Sequence, residues 1–457
     1  MSVRPAACIG LADPRTCGQT HPALVSRPAS FWIAAAVFLL GMAGGALPTP
    51  LYPLYQARWG FSNITVTLVF AVYAAGVLAS LLGLGRLSDE AGRRPVLLLA
   101  AGLAAASTVV FLLAQGLGWL LVARFLSGLA VGVLTGTATA ALAELEPAGD
   151  RRRASLAAAM VTPGGVALGI FVAGVLAEYG PASFRLVYAV YLGALAVLVA
   201  GVLVLPETVP AATGRFALRA QRPHVPAGMR RPFVVAALGV FAAFVILGLF
   251  SSLAPSFLGE ALREHNLFIA GSIVAIFFAA AAAAPLVIGH RSLSSAGVAG
   301  AVGIVAGLVL VLTGLSSLSL TSFFAGAIVV GFGVGALFVS SLALVNRSAP
   351  SQRRGEVVSA YFVAAYTGLT LPVISVGIAS EHVGVLTSAE WLSGAVVVLT
   401  AVAIAGIVAT SRRLDAAERQ AAGSSRPGEA ESEQAGTGEH AGAGGQAGED
   451  EPPARAA

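Results

Sequence analysis

The feature that most constrains this chain is a series of long apolar blocks between Phe31 and Thr410, separated by short polar connections. Each block is about the length of one bilayer crossing, which takes about 20 mostly apolar residues in a helix. The blocks read as Phe31–Tyr55, Ile64–Gly85, Val96–Leu113, Trp119–Leu142, Ser155–Ala177, Phe184–Leu205, Phe233–Phe257, Leu267–Ile288, Ala296–Leu315, Leu320–Val345, Val357–Ala379 and Ser388–Thr410. Only 11% of residues are charged, against about 25% in a soluble domain. That excludes a soluble enzyme of this length. The ten-residue segments of alternating polarity that build a membrane barrel are missing from the sequence. The expected fold class is an all-α polytopic membrane protein with twelve transmembrane helices.

Every basic residue is arginine. With the N-terminus inside and sides alternating, 23 arginines fall on inner segments and three, Arg58, Arg185 and Arg263, on outer ones. The positive-inside rule then places both termini in the cytoplasm. The net charge of +5 is a topology signal, so no nucleic-acid partner is expected. Cys8 and Cys17 lie in the N-terminal tail, where a reducing cytoplasm disfavours a disulfide. They offer no metal-ligand spacing, and neither metal nor cofactor is expected. The first block is too long and too rich in proline for a cleaved leader.

The chain repeats at an offset near 203 residues. Gly128 and Gly132 match Gly331 and Gly335, Pro147 matches Pro350, Arg151 matches Arg354, and Gly165 matches Gly368. The expected organisation follows: a cytoplasmic tail (1–30), a six-helix bundle (31–205), a basic linker (206–232), a second six-helix bundle (233–410) and a disordered cytoplasmic tail (411–457). Parallel repeats of this kind build carriers with a substrate cavity between the halves near the midplane.

The connection after the second block reads Gly85-Arg86-Leu87-Ser88-Asp89-Glu90-Ala91-Gly92-Arg93-Arg94-Pro95. This frame resembles the signature loop of the major facilitator superfamily. Glu90 stands where that family has a basic residue. The resemblance implies a conformational latch made of Gly85, Asp89, Gly92, Arg93 and Arg94. Asp89 is expected to face a helix N-terminus or an arginine of the other half. A solvated loop that only anchors the topology is the simpler alternative.

The fourth block carries Arg124 followed by Gly128 and Gly132, which resembles a second motif of the same family. Glycines four apart permit close helix approach. An ionisable residue inside a membrane is a functional candidate by default. Glu144, 20 residues along the same helix, lies about 30 Å away and cannot pair with Arg124. Pro48, Pro50 and Pro53 free the carbonyls of Gly44, Ala46 and Thr49 in the first block. Arg124 is expected to donate to these; direct binding of an anionic substrate is the rival.

In the fifth block, Gly165, Gly169 and Gly174 match a glycine- and proline-rich motif of proton-linked drug antiporters. Ile170 and Ala173 depart from it, and Pro163 with Gly164 offers an alternative kink. Simple helix packing explains these glycines equally well. The segments Glu144–Arg153 and Asn346–Arg354 resemble cytoplasmic gate loops, with Glu144, Arg151 and Arg354 as the gate. Pro206-Glu207-Thr208 ends the sixth block and is expected to carry little chemistry. The loop from Gly289 to Gly297 has no acidic residue.

No Asp or Glu lies mid-span, and the six histidines are assigned to tails and loops. A titrating group for proton coupling is therefore sought at helix ends, in Glu144 or Glu178. The expected cavity is apolar with scattered hydroxyls, including Tyr52, Tyr55, Tyr73, Thr135, Tyr361 and Tyr366, and suits amphipathic solutes. The resemblance implies a secondary transporter working by alternating access, and the absence of Lys with the abundance of Ala, Gly and Arg points to a GC-rich bacterial genome and so to a bacterial inner membrane. It is expected to export a small amphipathic compound as a monomer within the lipid bilayer, with protons as a candidate counter-substrate. Uptake or facilitated diffusion of a metabolite, and a sensor or scaffold that does not transport, are the alternatives.

Overall fold

A computed structural model describes residues 25–424, apart from 86, 182, 210–222, 253, 262, 264–265, 290 and 351–352. Both cysteines, residues 210–222 of the basic linker and the last 33 residues lie outside the described residues. Among the described residues, twelve helical stretches are long and apolar enough to cross a bilayer.

Helix α1 (Arg27–Ala46) starts four residues before the expected block. Pro28 sits in its first turn, where a missing N–H costs no helical bond. Pro48 and Pro50 then divide the first block. A single 3-10 turn at Thr49–Leu51 leads into α2 (Tyr52–Trp59), which ends on Gly60 at φ 68°. The chain continues through α3 (Asn63–Gly83), α4 (Leu87–Ala91), α5 (Arg93–Leu112), α6 (Leu117–Leu145), α7 (Arg151–Tyr179) and α8 (Ser183–Val204). After the linker come α9 (Arg230–Ser252), α10 (Ala254–Ala261), α11 (Leu267–Ile288), α12 (Leu293–Ser316), α13 (Leu320–Ser348), α14 (Arg354–Val383) and α15 (Val385–Ser424). Short polar side chains start several of them. Ser62, Asp150, Asn266, Ser292 and Ser319 each accept a backbone N–H in the first turn of the helix that follows.

Two expectations need correction. The C-terminal tail is helical as far as Ser424 rather than disordered from residue 411. Its Ala, Arg, Leu, Glu and Gln residues are good helix formers, and they extend a helix that needs no new nucleus. His382 sits in the last turn of α14 rather than in a loop.

Apolar side chains such as Val122, Leu286, Val302 and Val398 remain exposed, as a lipid-facing surface requires. Trp32, Trp119 and Trp391 are exposed near span ends, the usual place for an interfacial ring. Inside, the helices approach through glycine, and the same approaches recur after the repeat offset. A methyl group on Gly128 would overlap the Tyr73 carbonyl of α3, and one on Gly331 the Phe277 carbonyl of α11. Gly165 lies against the Leu39 carbonyl of α1, and Gly368 against the Phe241 carbonyl of α9. The two halves meet along two seams, α7 against α11 and α3 against α14.

Candidate functional site: a mid-span seam and its polar controls

The seam between α3 and α14 carries a cluster drawn from both halves. Phe70, Tyr73 and Ala74 of α3 pack with Phe244 and Leu247 of α9 and with Tyr366 and Leu369 of α14. The Phe244 ring meets Tyr366 edge-on at 5.6 Å and Phe338 of α13 at 6.0 Å. At 1.5 Å per residue, Tyr73, Phe244, Phe338 and Tyr366 all lie roughly 15–21 Å from the arginine-bearing helix ends. That is mid-depth in a hydrocarbon core about 30 Å thick. All four rings are only half-buried. Among the described residues, the Tyr73 and Tyr366 hydroxyls have no hydrogen-bond partner. The cluster therefore offers ring surface and two free hydroxyls at the level where the halves join.

The other expected lining residues sit differently. Tyr52 and Tyr55 are 2% and 3% exposed and sit in the core of the first half. The Tyr55 hydroxyl bonds to Tyr188 at 2.8 Å. Tyr361 is fully buried and bonds to Ser341 at 2.8 Å. Thr135 donates to the Val131 carbonyl of its own helix at 2.7 Å. Ser251, Ser252 and Thr367 likewise bond to their own helices. A hydroxyl inside a helix is most cheaply satisfied by the carbonyl a turn before it, so these groups are not left for a solute.

Arg124 is fully buried. Its Nη1 donates to the Gly45 carbonyl at 2.8 Å, and its Nη2 donates to the Tyr52 hydroxyl. The guanidinium carbon also lies 5.3 Å from the Tyr52 ring, 5.5 Å from Tyr73 and 6.0 Å from Phe111. Among the described residues no carboxylate pairs with it. A carbonyl, a hydroxyl and three ring faces thus hold a buried cation. The acceptor is Gly45 rather than Gly44, Ala46 or Thr49. Helix α1 ends at Ala46, so its last-turn carbonyls lack helical donors whichever residue is proline. Tyr73 joins this node to the aromatic seam. A cavity of about 10 Å³ lies between α1, α5, α6 and α8, lined by Gly44, Ser107, Ser127 and Tyr191 among others. It suits one water molecule and is far too small for an organic solute.

A third cluster sits at the arginine-bearing end of the first half. Arg93 lies in the first turn of α5, with Nη2 2.8 Å from Oε1 of Glu144 and Nη1 2.6 Å from Oδ1 of Asp89. Ser88 accepts from Arg93 at 2.6 Å, and Thr208 donates to Glu144. Glu207 accepts the backbone N–H groups of Arg93 and Arg94 at 2.7 and 2.9 Å. A carboxylate on two free N–H groups of a helix start is favoured by both hydrogen bonding and the helix dipole. Gly92 makes room for it. Its φ is 92°, and a Cβ there would come within 2.9 Å of Glu207. The expectation that Glu207 and Thr208 carry little chemistry is therefore corrected.

Asp89 also departs from expectation. In this conformation it pairs within its own connection, not with the other half, and its side chain is 62% exposed. The i,i+4 spacing to Arg93 supplies that partner one helical turn away. Glu144 meets Arg93, whereas Arg151 and Arg354 are exposed and make no hydrogen bond or ion pair among the described residues. The 146–150 turn is held instead by Glu146, which accepts from the N–H groups of Ala148 and Asp150. Gly165 and Gly169 face α1, while Gly174 faces Leu267 and Gly271 of α11. All three occupy close helix contacts.

The family model of the Major Facilitator Superfamily matches residues 31–371. Multidrug resistance protein MdtL of Escherichia coli O45:K1 (strain S88 / ExPEC) is 34% identical over 121 residues, 26% of this chain and 30% of the relative. An uncharacterized transporter of Rickettsia felis is 32% identical over 115 residues, 24% of this chain and 27% of that one. The chain thus spans less than a third of the length of the curated relatives it matches. The solved structure of nucleoside transporter NupG superimposes with a TM-score of 0.64 at 14% identity, covering 82% of this chain and 99% of that one. That likeness shows the fold. With twelve apolar helices and a family model covering most of its length, the chain belongs to the major facilitator superfamily of membrane transporters.

Proposed function

We propose that this protein is a secondary transporter that works by alternating access and exports a small amphipathic organic compound. The observation that carries this reading is the seam at mid-depth. Half-buried rings from both halves, Tyr73 on one side and Phe244 and Tyr366 on the other, share one cluster there, with no carboxylate in it among the described residues. Such a surface takes flat apolar solutes and gives fixed polar specificity through few groups. The local similarity to a multidrug resistance protein supports export. We divide the transporter into bundles 31–205 and 233–410, with both termini in the cytoplasm of a bacterial inner membrane, and treat it as a monomer.

In this scheme Arg124 organises the wall of the first bundle, and the Arg93–Glu144–Glu207 cluster braces its cytoplasmic end. Proton exchange is the coupling mode to test, with Glu144 and Glu178 as the carboxylates available at helix ends. Everted vesicles carrying the protein should accumulate amphipathic aromatic dyes, and an imposed pH gradient should change the rate. Flux that ignores the gradient would remove proton antiport and leave facilitated export. Vesicles that move none of the dyes, while intact cells take up a small metabolite, would reverse the assigned direction.

A further inference from the structure

We propose, resting on the alternating-access reading, that α7 holds α11 by a charged contact at each membrane face, so that opening to either side releases one contact and keeps the other. At the face away from the arginine clusters, Glu178 near the end of α7 meets the start of α11. Its Oε2 accepts the Leu267 N–H at 2.9 Å, and its Oε1 accepts from the Asn266 side-chain amide at 3.3 Å. At the opposite face, Arg152 in the first turn of α7 donates from Nη2 to the Gly289 carbonyl at 2.9 Å. Gly289 directly follows the last residue of α11.

The signs match the helix they grip. The N-terminus of α11 carries partial positive charge and receives a carboxylate, while its C-terminus carries partial negative charge and receives a guanidinium. Both gripping side chains come from one helix. Asp150 fixes the backbone at one end of it by accepting the Arg152 N–H at 2.9 Å. At the other end, the Phe268 ring of α11 sits 5.8 Å from both Phe171 and Tyr179 of α7.

Between these ends the contact is bare. A Cβ on Gly174 would lie 3.5 Å from the Gly271 Cα, and one on Gly164 would lie 4.0 Å from Ala282. Close helix surfaces without interlocking polar groups rock at low cost, so the polar information of this seam resides in its ends. The seam of α3 and α14 is different. There Gly377 lies against Thr67 and Asn63, and the Thr67 hydroxyl is spent on its own helix. Among the described residues no ion pair joins α3 to α14, which leaves Glu178 and Arg152 as the positioning residues of the rocking step.

Hydrogen exchange of the full chain in lipid nanodiscs tests this, because it reads each face separately and needs no substrate. Glu178→Ala should speed exchange of the α2 amides, residues 52–59, by roughly tenfold, the effect of one charge-assisted contact. Glu178 does not touch those amides. Exchange at residues 85–95, on the opposite face, should stay at the native rate. Arg152→Met should give the reverse pattern. Glu178→Gln keeps one acceptor and should fall between, which covers the case in which the alanine variant does not fold. Faster exchange at both faces in each variant would mean general loosening and would overturn the proposal, as would a change confined to Leu267. Face-selective exchange in a protein that moves no solute would uphold the clamp and count against the transport reading instead.

Discussion

The connection from α3 to α5 and the connection from α11 to α12 occupy equivalent places in the two halves, yet they are built differently. The first holds Arg93 between Glu144 and Asp89 and rests on Glu207. The second has Arg291 and is organised by Ser292, which caps α12 through Ser295. The same contrast appears within the spans. Arg124 is matched at the repeat offset by Ala327, which is equally buried. Glu144 is matched by Arg347, in the last turn of α13. By contrast the packing glycines, Gly128 with Gly331 and Gly165 with Gly368, keep both identity and role. Shape is duplicated and charge is not. The second half serves as a matching body, while the fixed polar controls are concentrated in the first.

Substitutions at five positions sharpen or break this contrast. The largest effect is expected from packing, and equally in both halves. Gly128→Ala and Gly331→Ala each place a methyl on a backbone carbonyl that cannot move aside, costing about 1–3 kcal/mol or more. Both should lower the monodisperse yield and the melting temperature in detergent. A tolerated Gly331→Ala would show that the halves are not packed alike. Next, Arg124→Met takes away the donor shared by the Gly45 carbonyl and the Tyr52 hydroxyl, costing about 1–3 kcal/mol. Dye flux should fall by at least about tenfold, with Arg124→Lys intermediate because an ammonium lacks the planar fork.

Arg93→Met should cost less, about 1–2 kcal/mol, since Glu144 is partly open to solvent and the pair is screened. Flux should drop several-fold, and high salt should weaken the native protein in the same direction. Asp89→Asn should do least, under about 1 kcal/mol, because its side chain is largely exposed. A complete stall with Asp89→Asn would show that Asp89 gains a second partner in another conformation and that this contact outweighs the one to Arg93.

Much of the fold was legible because it rests on local pattern. Apolar blocks give the spans, and proline and serine mark where they break or begin. The repeat was legible through glycines that admit only one kind of contact. Arg124 was legible in part. Prolines in the first block announced free carbonyls near it, but the choice of Gly45 depends on where α1 stops. Its ring partners Tyr52, Tyr73 and Phe111 depend on tertiary packing. Glu207 was misread because its value lies 114 residues away, at the N–H of Arg93. Its position directly after a proline, at the face that carries Gly92, was the available signal. Phe244 and Phe338 were missed because a phenylalanine in an apolar block looks the same whether it faces lipid, core or cavity.

The central claim is that solute passes between the halves at the seam where α3, carrying Tyr73, packs on α14, carrying Tyr366. The most direct measurement is disulfide cross-linking of Tyr73→Cys with Tyr366→Cys, in protein whose Cys8 and Cys17 are replaced by serine, reconstituted in vesicles. The account predicts that oxidation stops dye flux and that reduction restores it. Undiminished flux through the fully cross-linked protein would contradict it.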